Sequence, residues 1–176
     1  MSNYKNLLTE PEDHAVGRSR GGLSTKIHAL VDGHRRPLVL MLGPGQAGDA
    51  PMFPNLMDAV KVEKRGSGAA RKRPEKALAD KAYSSKAIRT YLRDRGIKCV
   101  IPERSDQIAN RKRKGSAGGR PVSYDKQAYK RRHVVECSFN TLKHWRALAT
   151  RYDKLALTYR AAVVMHAVVV WCSALT

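Results

Sequence analysis

Cysteine is scarce in this sequence, and the three cysteines are poorly placed for a disulfide framework or a zinc site. Cys99, Cys137 and Cys172 are odd in number and far apart, with no C-x-x-C pair. Disulfide scaffolds and structural zinc sites need paired or closely spaced cysteines. We therefore expect three reduced thiols that pack as small apolar side chains in a reducing compartment.

Long hydrophobic segments are also missing. Residues 1–13 are polar and contain no apolar stretch of the signal-peptide type. The most apolar stretch, residues 161–175, includes His166 and is too short to cross a bilayer. The pattern predicts a buried C-terminal helix, no membrane partner and a cytoplasmic location.

Acidic residues are few, and this imbalance points to an anionic partner. The 176 residues include 15 Asp plus Glu against 34 Lys plus Arg, which gives a formal net charge of +19. A globular chain of this charge repels itself unless an anion neutralises it, and nucleic acid is the usual partner. The alternative partner is an anionic membrane surface. The alternative class of protein is a ribosomal or chromatin-type protein that only binds its partner. The length suits one domain.

Hydrophobic periodicity and turn residues predict alternating strands and helices. Asp32 and Gly33 form a strong hairpin signal between two apolar runs. A strand ends before Asp80, Ser84 or Ser85 caps the following helix, and Gly96 ends it. The predicted elements are strands 23–31, 37–42, 76–79 and 97–101, helices from Asp49 to Val60 and over 84–96, 125–149 and 159–173, a flexible basic segment 61–73 and a mobile basic loop 103–123. This order indicates a mixed α/β sheet, with Asp80 at the carboxyl end of a strand, where open α/β sheets place their sites.

One stripe of the predicted helix 125–149 combines a carboxylate with cations and a phenol. Tyr129, Arg132, Glu136 and Lys143 stand at offsets 0, 3, 7 and 14. At about 100° per residue they fall within about 60° of one another. A solvated helix face with internal ion pairs is the alternative interpretation.

The spacing Tyr-x2-Arg-x3-Glu-x6-Lys resembles the signature around the last acidic residue of insertion-sequence transposases of the DDE class. Further blocks look like the IS-five group of that class, in the right order. They are GRSRGGLSTKIHALVDG (17–33), PGQAGD (44–49), LADKAYSS (78–85), VIPE (100–103) and RHVVECSFNTLKHWRALATRYDKLA (132–156). The resemblance covers residues 17–171.

The resemblance implies an RNase H-like catalytic core, here residues 21–176 after a polar N-terminal segment, residues 1–20. In that family three carboxylates hold two divalent metals, usually Mg²⁺ (or Mn²⁺), for DNA cleavage and strand transfer at insertion-sequence ends. By the match, Asp80 is the second acidic residue and Glu136 is the third. The residue type suits the chemistry, because Mg²⁺ takes hard oxygen ligands and paired metals activate the attacking oxygen and stabilise the leaving one.

The same resemblance assigns DNA contacts to residues near the two carboxylates. Arg132 and Lys143 are expected to contact phosphates beside the scissile bond, and Tyr129 to stack or hydrogen-bond there. Lys81 is a further phosphate candidate, with a solvent-facing lysine as the alternative. The basic clusters Arg71 to Arg73 and Arg111, Lys112, Arg113 and Lys114 are expected to track the DNA backbone.

The chain departs from the family pattern before Gly17. The family's first catalytic Asp lies on a strand upstream of the GRSRGGL block, and the 16 residues that precede Gly17 show no apolar strand. We therefore expect a truncated domain without its first central strand, an incomplete acidic triad and weak or absent two-metal catalysis. Unpaired strand edges should follow. The expected partner is an N-terminal transposase segment, from an upstream reading frame or a separate chain.

Four functions remain open at this point. The chain is the C-terminal part of a transposase that is competent only when joined to the missing piece, or a non-catalytic DNA-binding remnant or regulator of transposition. An unrelated basic protein with a chance match is the third. The fourth is a metal-free nuclease that uses His28, His34, His133 or His144. The resemblance also implies a homo-oligomer on double-stranded transposon ends, associated with the nucleoid, with end recognition outside this chain.

Overall fold

The structure is a computed structural model and describes residues 9–64 and 66–174. The first eight residues of the predicted polar segment and Arg65 of the predicted basic segment lie outside it. The described strands are β1 (Gly17–Ser19), β2 (Gly22–Val31), β3 (Pro37–Pro44), β4 (Lys76–Leu78) and β5 (Lys98–Val100). The described α-helices are α1 (Phe53–Asp58), α2 (Lys86–Asp94), α3 (Ser105–Arg113), α4 (Lys126–Lys130), α5 (His133–Lys143), α6 (Arg146–Ala149) and α7 (Ala156–Ser173).

The described chain divides into two compact units, and each contains one sheet. The antiparallel unit comprises residues 9–48, 55–64, 66–72 and 133–174, with the sheet β1-β2-β3. The parallel unit comprises residues 49–54 and 73–132, with the sheet β4-β5. Together they confirm the predicted mixed α/β composition. The single mixed sheet that was predicted is wrong, since the described antiparallel and parallel strands form two separate sheets.

The β2–β3 hairpin is the framework of the antiparallel unit. Its turn is fixed by the Asp32 carboxylate, which accepts from His34 N at 2.8 Å and from Arg36 N at 3.0 Å. Ile27 pairs with Leu42 across the hairpin, and Leu42 is fully buried. The predicted hairpin is thus confirmed, because an Asx-type turn and the alternation of buried residues are both local signals.

Helix α7 covers β3 in the same unit. The indole Nε1 of Trp171 donates to Pro37 O at 2.8 Å, and the Arg36 guanidinium lies 4.3 Å from the Trp171 ring. One face of α7 is buried, and the other exposes Val164, Met165, Val168 and Val169. The predicted buried helix is therefore only half-buried. By length and composition α7 is long and apolar enough to cross a membrane, as are core helices of soluble proteins.

The parallel unit is a strand-helix-strand element. β4 and β5 pair in parallel with Ala77 opposite Cys99, and α2 connects them. Ser85 caps α2 by accepting from Ile88 N at 3.1 Å, and Gly96 follows its end with a φ of 63°. The glycine was predicted, and Ser85 is one of the two serines predicted as the cap, because a serine cap and a left-handed glycine are local determinants.

Two elements predicted between residues 103 and 149 are wrong. Residues 103–123 are not a structureless loop, since they form α3 and a short 3-10 turn, Gly115–Gly118. Gln107 accepts from Arg104 N at 3.2 Å and so caps the first turn of α3. The predicted helix 125–149 is three helices, because Arg131 N and Arg132 N donate to Ala128 O and Tyr129 O and close α4 in tight three-residue steps.

The segment before β1 is also ordered where it is described. Hydrogen bonds hold it, including one from Thr25 to Ala15 and one from the start of α7 to Glu10. Thr25 Oγ1 donates to Ala15 O at 2.7 Å, and Glu10 accepts from Ala156 N at 2.7 Å. The basic segment after α1 contains a bridge between Val62 and Arg71. All three cysteines are free, but Cys99 and Cys137 are only half-buried and Cys172 is exposed, so the prediction that all three pack as buried apolar side chains is wrong.

Candidate functional site

Asp80 lies two residues after β4 and is exposed. It is the N-cap of a single 3-10 turn, Lys81–Tyr83, and its Oδ1 accepts from Ala82 N at 2.7 Å. Among the described residues no hydrogen-bond or ion-pair partner of Oδ2 is found. One carboxylate oxygen is thus oriented by the backbone, while the other faces solvent at the carboxyl end of a parallel strand, where the sequence predicted it.

Tyr83 ends that turn and was not predicted as a site residue. Its ring packs against Phe53 at 5.6 Å between centroids. Burial, and then the negative charges of Asp49 and Asp80, raise the pKa of Tyr83 to about 12. The phenol therefore stays protonated at neutral pH beside the Asp80 turn. The only sequence signal for it was its place in the LADKAYSS block.

Ser84 follows Tyr83 and is buried, with 3% of its surface exposed. Its hydroxyl donates to Gln107 Oε1 at 2.7 Å and accepts from Arg89 Nη2 at 2.9 Å. The Asp80 turn is therefore attached to α3 and α2 of the same unit by side-chain hydrogen bonds. Neither Gln107 nor Arg89 carried a recognisable motif.

Tyr129 and Arg132 come together in the parallel unit. The Arg132 guanidinium lies 5.9 Å from the centroid of the Tyr129 ring, and Tyr124 meets that ring edge-on at 5.6 Å. Asp125 caps the short helix that carries Tyr129, accepting from Ala128 N at 2.9 Å. This bond is the first of several backbone and charge contacts that lower the pKa of Asp125. A cation over a phenol ring suits stacking on a base or sugar.

Glu136 and Lys143 lie on α5, in the antiparallel unit, and both are exposed. Seven residues are about two helical turns, so the two side chains share one face at about 10 Å separation along the axis. The opposite face carries the buried Ser138 and Leu142 and packs on β2. Glu136 sits in the first turn, where the helix dipole favours an anion.

The predicted stripe on a single helix is thus divided. Tyr129 belongs to α4, Arg132 follows it, and Glu136 and Lys143 belong to α5. Asp80, Tyr129 and Arg132 are in the parallel unit, while Glu136 and Lys143 are in the antiparallel unit.

The basic cluster of α3 is only partly available to a ligand. Lys112, Arg113 and Lys114 are exposed. The Arg111 guanidinium instead pairs with the Glu103 carboxylate, and their side chains are only 16% and 15% exposed. Arg111 therefore does not fit the predicted role of a phosphate ligand, because its charge is already neutralised within the fold. Lys81, the residue after Asp80 in the sequence, is exposed. The residues of the other basic cluster, Arg71 to Arg73, are exposed as well.

The described residues supply oxygen donors for a divalent cation but not a complete metal site. No three His, Cys, Asp or Glu side chains within residues 9–64 and 66–174 are grouped to hold a metal ion. Asp80 and Glu136 are the residue type that Mg²⁺ prefers. Two carboxylates without a third do not fit the three-carboxylate set that the sequence resemblance implies.

The chain matches a family model and two curated relatives. Residues 6–171 match the family described as "Transposase DDE domain". A Brucella ovis protein named "Putative transposase for insertion sequence element IS6501" is 29% identical over 149 residues, covering 85% of this chain and 98% of that relative. A Burkholderia cepacia protein named "Putative transposase for insertion sequence element IS402" is 32% identical over 139 residues, covering 79% of this chain and 57% of the relative. No solved structure matches significantly. The chain therefore belongs to the DDE-class transposases of insertion sequences.

Proposed function

We propose that this chain is the carboxyl-terminal part of the catalytic core of an insertion-sequence transposase, which cuts and joins DNA at the ends of the element. Its acidic residues Asp80 and Glu136 are the second and third carboxylates of that site. The observation that carries the proposal is the geometry of Asp80, an exposed carboxylate held by Ala82 N at the carboxyl end of a parallel strand. Membership of the transposase family supplies the reaction class.

The two sheets support an RNase H-like core, in residues 21–176, that lacks one strand. Within the described residues β4 pairs only with β5, and β2 pairs with β1 only through Gly22 to Ser24. An added N-terminal strand, from an upstream frame product or a separate chain, would bring the missing carboxylate.

The divalent cation, Mg²⁺ or Mn²⁺, would supply charge stabilisation at the reacting phosphate. The described donor set is incomplete, so the proposal assigns this chain only the orientation of its own carboxylates. Asp80 is oriented by the Ala82 amide, and Glu136 is presented by the exposed face of α5.

Double-stranded transposon ends bind through cations and one aromatic pair. Lys112, Arg113 and Lys114 contact the backbone through exposed charges. Near the reacting phosphate, the DNA strand is contacted by the pair Tyr129 and Arg132. Lys143 and Lys81 each make a separate contact there. A homo-oligomer assembled on two ends and a nucleoid location follow from this mode of action, because both ends of an element are processed together.

A non-catalytic regulator of transposition is the second candidate. The acidic set that the sequence supplies, Asp80 and Glu136 without a third carboxylate, favours it. Such a protein binds the same ends through the same cations and blocks the active enzyme.

Cleavage of DNA that carries the element's own ends separates the two candidates. The purified chain alone, and the chain joined to the upstream N-terminal segment, are incubated with Mg²⁺ or Mn²⁺. We expect cleavage and strand transfer only from the joined form, and their loss in Glu136→Gln and Asp80→Asn. Glu75→Gln and Asp94→Asn are matched controls, because both acids are exposed and lie outside the proposed site.

Each outcome assigns one function. Activity of the joined form that survives Glu136→Gln rejects the catalytic assignment. Full strand transfer by the 176-residue chain alone rejects the need for a partner. End binding without cleavage in either form, combined with inhibition of an active transposase, establishes the regulator.

A further inference from the structure

The turn that carries Asp80 has little stability of its own. It is a 3-10 turn of three residues, closed by Tyr83 N to Asp80 O at 3.2 Å and Ser84 N to Lys81 O at 3.1 Å. Short 3-10 turns have poor hydrogen-bond geometry and do not persist in isolation. The orientation of the Asp80 carboxylate therefore depends on what holds the end of the turn.

That end is held by Gln107. Its amide makes two hydrogen bonds to one residue: Oε1 accepts from the Ser84 hydroxyl at 2.7 Å, and Nε2 donates to Ser84 O at 2.5 Å. The two bonds form a closed ring that fixes both the side chain and the backbone of Ser84. Since Ser84 is almost fully buried, each of these groups would be costly to leave unpaired.

The same amide also begins α3. Oε1 of Gln107 accepts from Arg104 N at 3.2 Å, so it caps the helix that carries Lys112 and Arg113 and that Lys114 ends. One side chain thus joins the Asp80 turn to the basic helix. Arg89 completes the junction, because its Nη2 donates to Ser84 Oγ at 2.9 Å and to Ile101 O at 2.8 Å.

We propose that Gln107 is a positioning residue for Asp80, and that it couples the Asp80 turn to the basic helix α3 so that DNA held by α3 meets a fixed carboxylate. The inference rests on the proposed function for its catalytic consequence. Its structural part, the dependence of the turn on Gln107, stands independently of any activity.

The test uses variants that remove the bonds stepwise. Gln107→Met keeps the length of the side chain and loses both bonds to Ser84. Gln107→Glu keeps an acceptor for the Ser84 hydroxyl and for Arg104 N, and loses the donor to Ser84 O. Gln127→Met is the matched control, since Gln127 is an exposed glutamine on α4 of the same unit.

Hydrogen exchange in the free chain gives the first readout. We expect Gln107→Met to speed the exchange of the Ala82 and Ser84 amides by about tenfold or more. Gln107→Glu should have a smaller effect, and Gln127→Met none. Amides of α2 and β5 should keep their protection in every variant, because the core around Leu92 and Ile101 does not contain Gln107. Unchanged exchange at Ala82 in Gln107→Met overturns the proposal, and so does an equal loss throughout the unit.

Kinetics of the joined transposase give the second readout. A positioning role predicts that Gln107→Met lowers kcat by about tenfold while the affinity for transposon ends changes little. The order of activity should be wild type, then Gln107→Glu, then Gln107→Met. Faster amide exchange with unchanged kcat overturns the coupling to catalysis. An inactive wild-type protein rejects the proposed function instead, and the exchange data then still decide the role of Gln107 in the turn.

Discussion

The carboxylate of Glu10 caps helix α7 from the other end of the sequence. It accepts from Ala156 N at 2.7 Å and from Leu157 N at 3.0 Å, across sequence separations of 146 and 147 residues. The N-cap residue of α7, Leu155, has no side chain that could make these bonds. The segment before β1 therefore stabilises the start of the C-terminal helix.

Replacing Glu10 with Gln should lower the free energy of unfolding by about 0.3–1 kcal/mol, because the amide keeps an acceptor but loses the negative charge that the helix dipole favours at the start of α7. Burial raises the pKa of Glu10, but hydrogen bonds from Leu157, Ala156 and His14 outweigh it and leave the pKa below 4.5. Because the pKa of Glu10 is lower in the folded than in the unfolded protein, its contribution to the free energy of unfolding is fully present above the unfolded-state pKa. That contribution is lost as the pH falls through the folded-state pKa. Urea unfolding at several pH values checks this, with exposed Glu12→Gln as control. Equal effects of the two variants contradict the cap.

His166 should make unfolding depend on pH near neutrality. Its side chain is buried against Trp145, with 5.3 Å between ring centroids, and no partner for Nδ1 is found in the described part of the chain. Burial lowers the pKa of His166 from 6.5, against a smaller opposing effect of the Thr141 backbone. Because the pKa of His166 is lower in the folded than in the unfolded protein, the neutral side chain favours the folded state above pH 6.5. The free energy of unfolding therefore falls as the pH drops from 6.5 toward the folded-state pKa of His166. His166→Phe should remove this slope, whereas exposed His34→Gln should keep it. A slope unchanged in His166→Phe assigns the pH dependence to other groups.

The two faces of α7 should respond differently to substitution. Val163 is fully buried, so Val163→Ala leaves a cavity and should cost about 2 kcal/mol of unfolding free energy. Met165 is 61% exposed on the outer face, and Met165→Gln should change stability by less than about 0.5 kcal/mol. Chemical denaturation of both variants measures the difference. A large loss in Met165→Gln would show that the outer face is covered in solution.

DNA affinity should depend on Lys112 and Lys114 but not on Arg111. The double variant Lys112→Ala, Lys114→Ala should weaken binding to duplex DNA and reduce the slope of log affinity against log salt by about 2. Arg111→Ala should lower stability and leave the salt slope unchanged, because Glu103 already neutralises that guanidinium. Titrations over a range of salt concentrations measure both effects, with exposed Lys86→Ala as control. A reduced slope in Arg111→Ala rejects the intramolecular pairing as the dominant state.

Local signals predicted a large part of the fold. The Asp32 turn, the Ser85 cap and the glycine at position 96 are all where the sequence placed them, because each depends on residues within one turn. The break in the predicted long helix was missed, since the apolar spacing continues across Arg131 and Arg132. Helix α3 was missed as well, because its polar composition hides a cap formed by Gln107.

In the candidate site, too, local sequence motifs were recognised and residues that depend on distant partners were missed. Asp80 and Glu136 were predicted from the motif, and their catalytic role stays a prediction; both side chains are exposed. Tyr83, Ser84 and Arg89 were missed, since burial and distant partners give them their importance. Arg111 was predicted as a DNA ligand because the sequence does not reveal its pairing with Glu103.

Contiguous residues suffice to identify the family, the hairpin, the strand-helix-strand element and the position of Asp80 after its strand. Three contacts are visible only in the folded chain: Glu10 caps α7, Gln107 holds Ser84, and Arg111 is withdrawn from solvent. Each of these is a hydrogen bond or ion pair whose value depends on burial and on a partner elsewhere in the chain. Such contacts form only once the apolar cores of the units have brought the partners together.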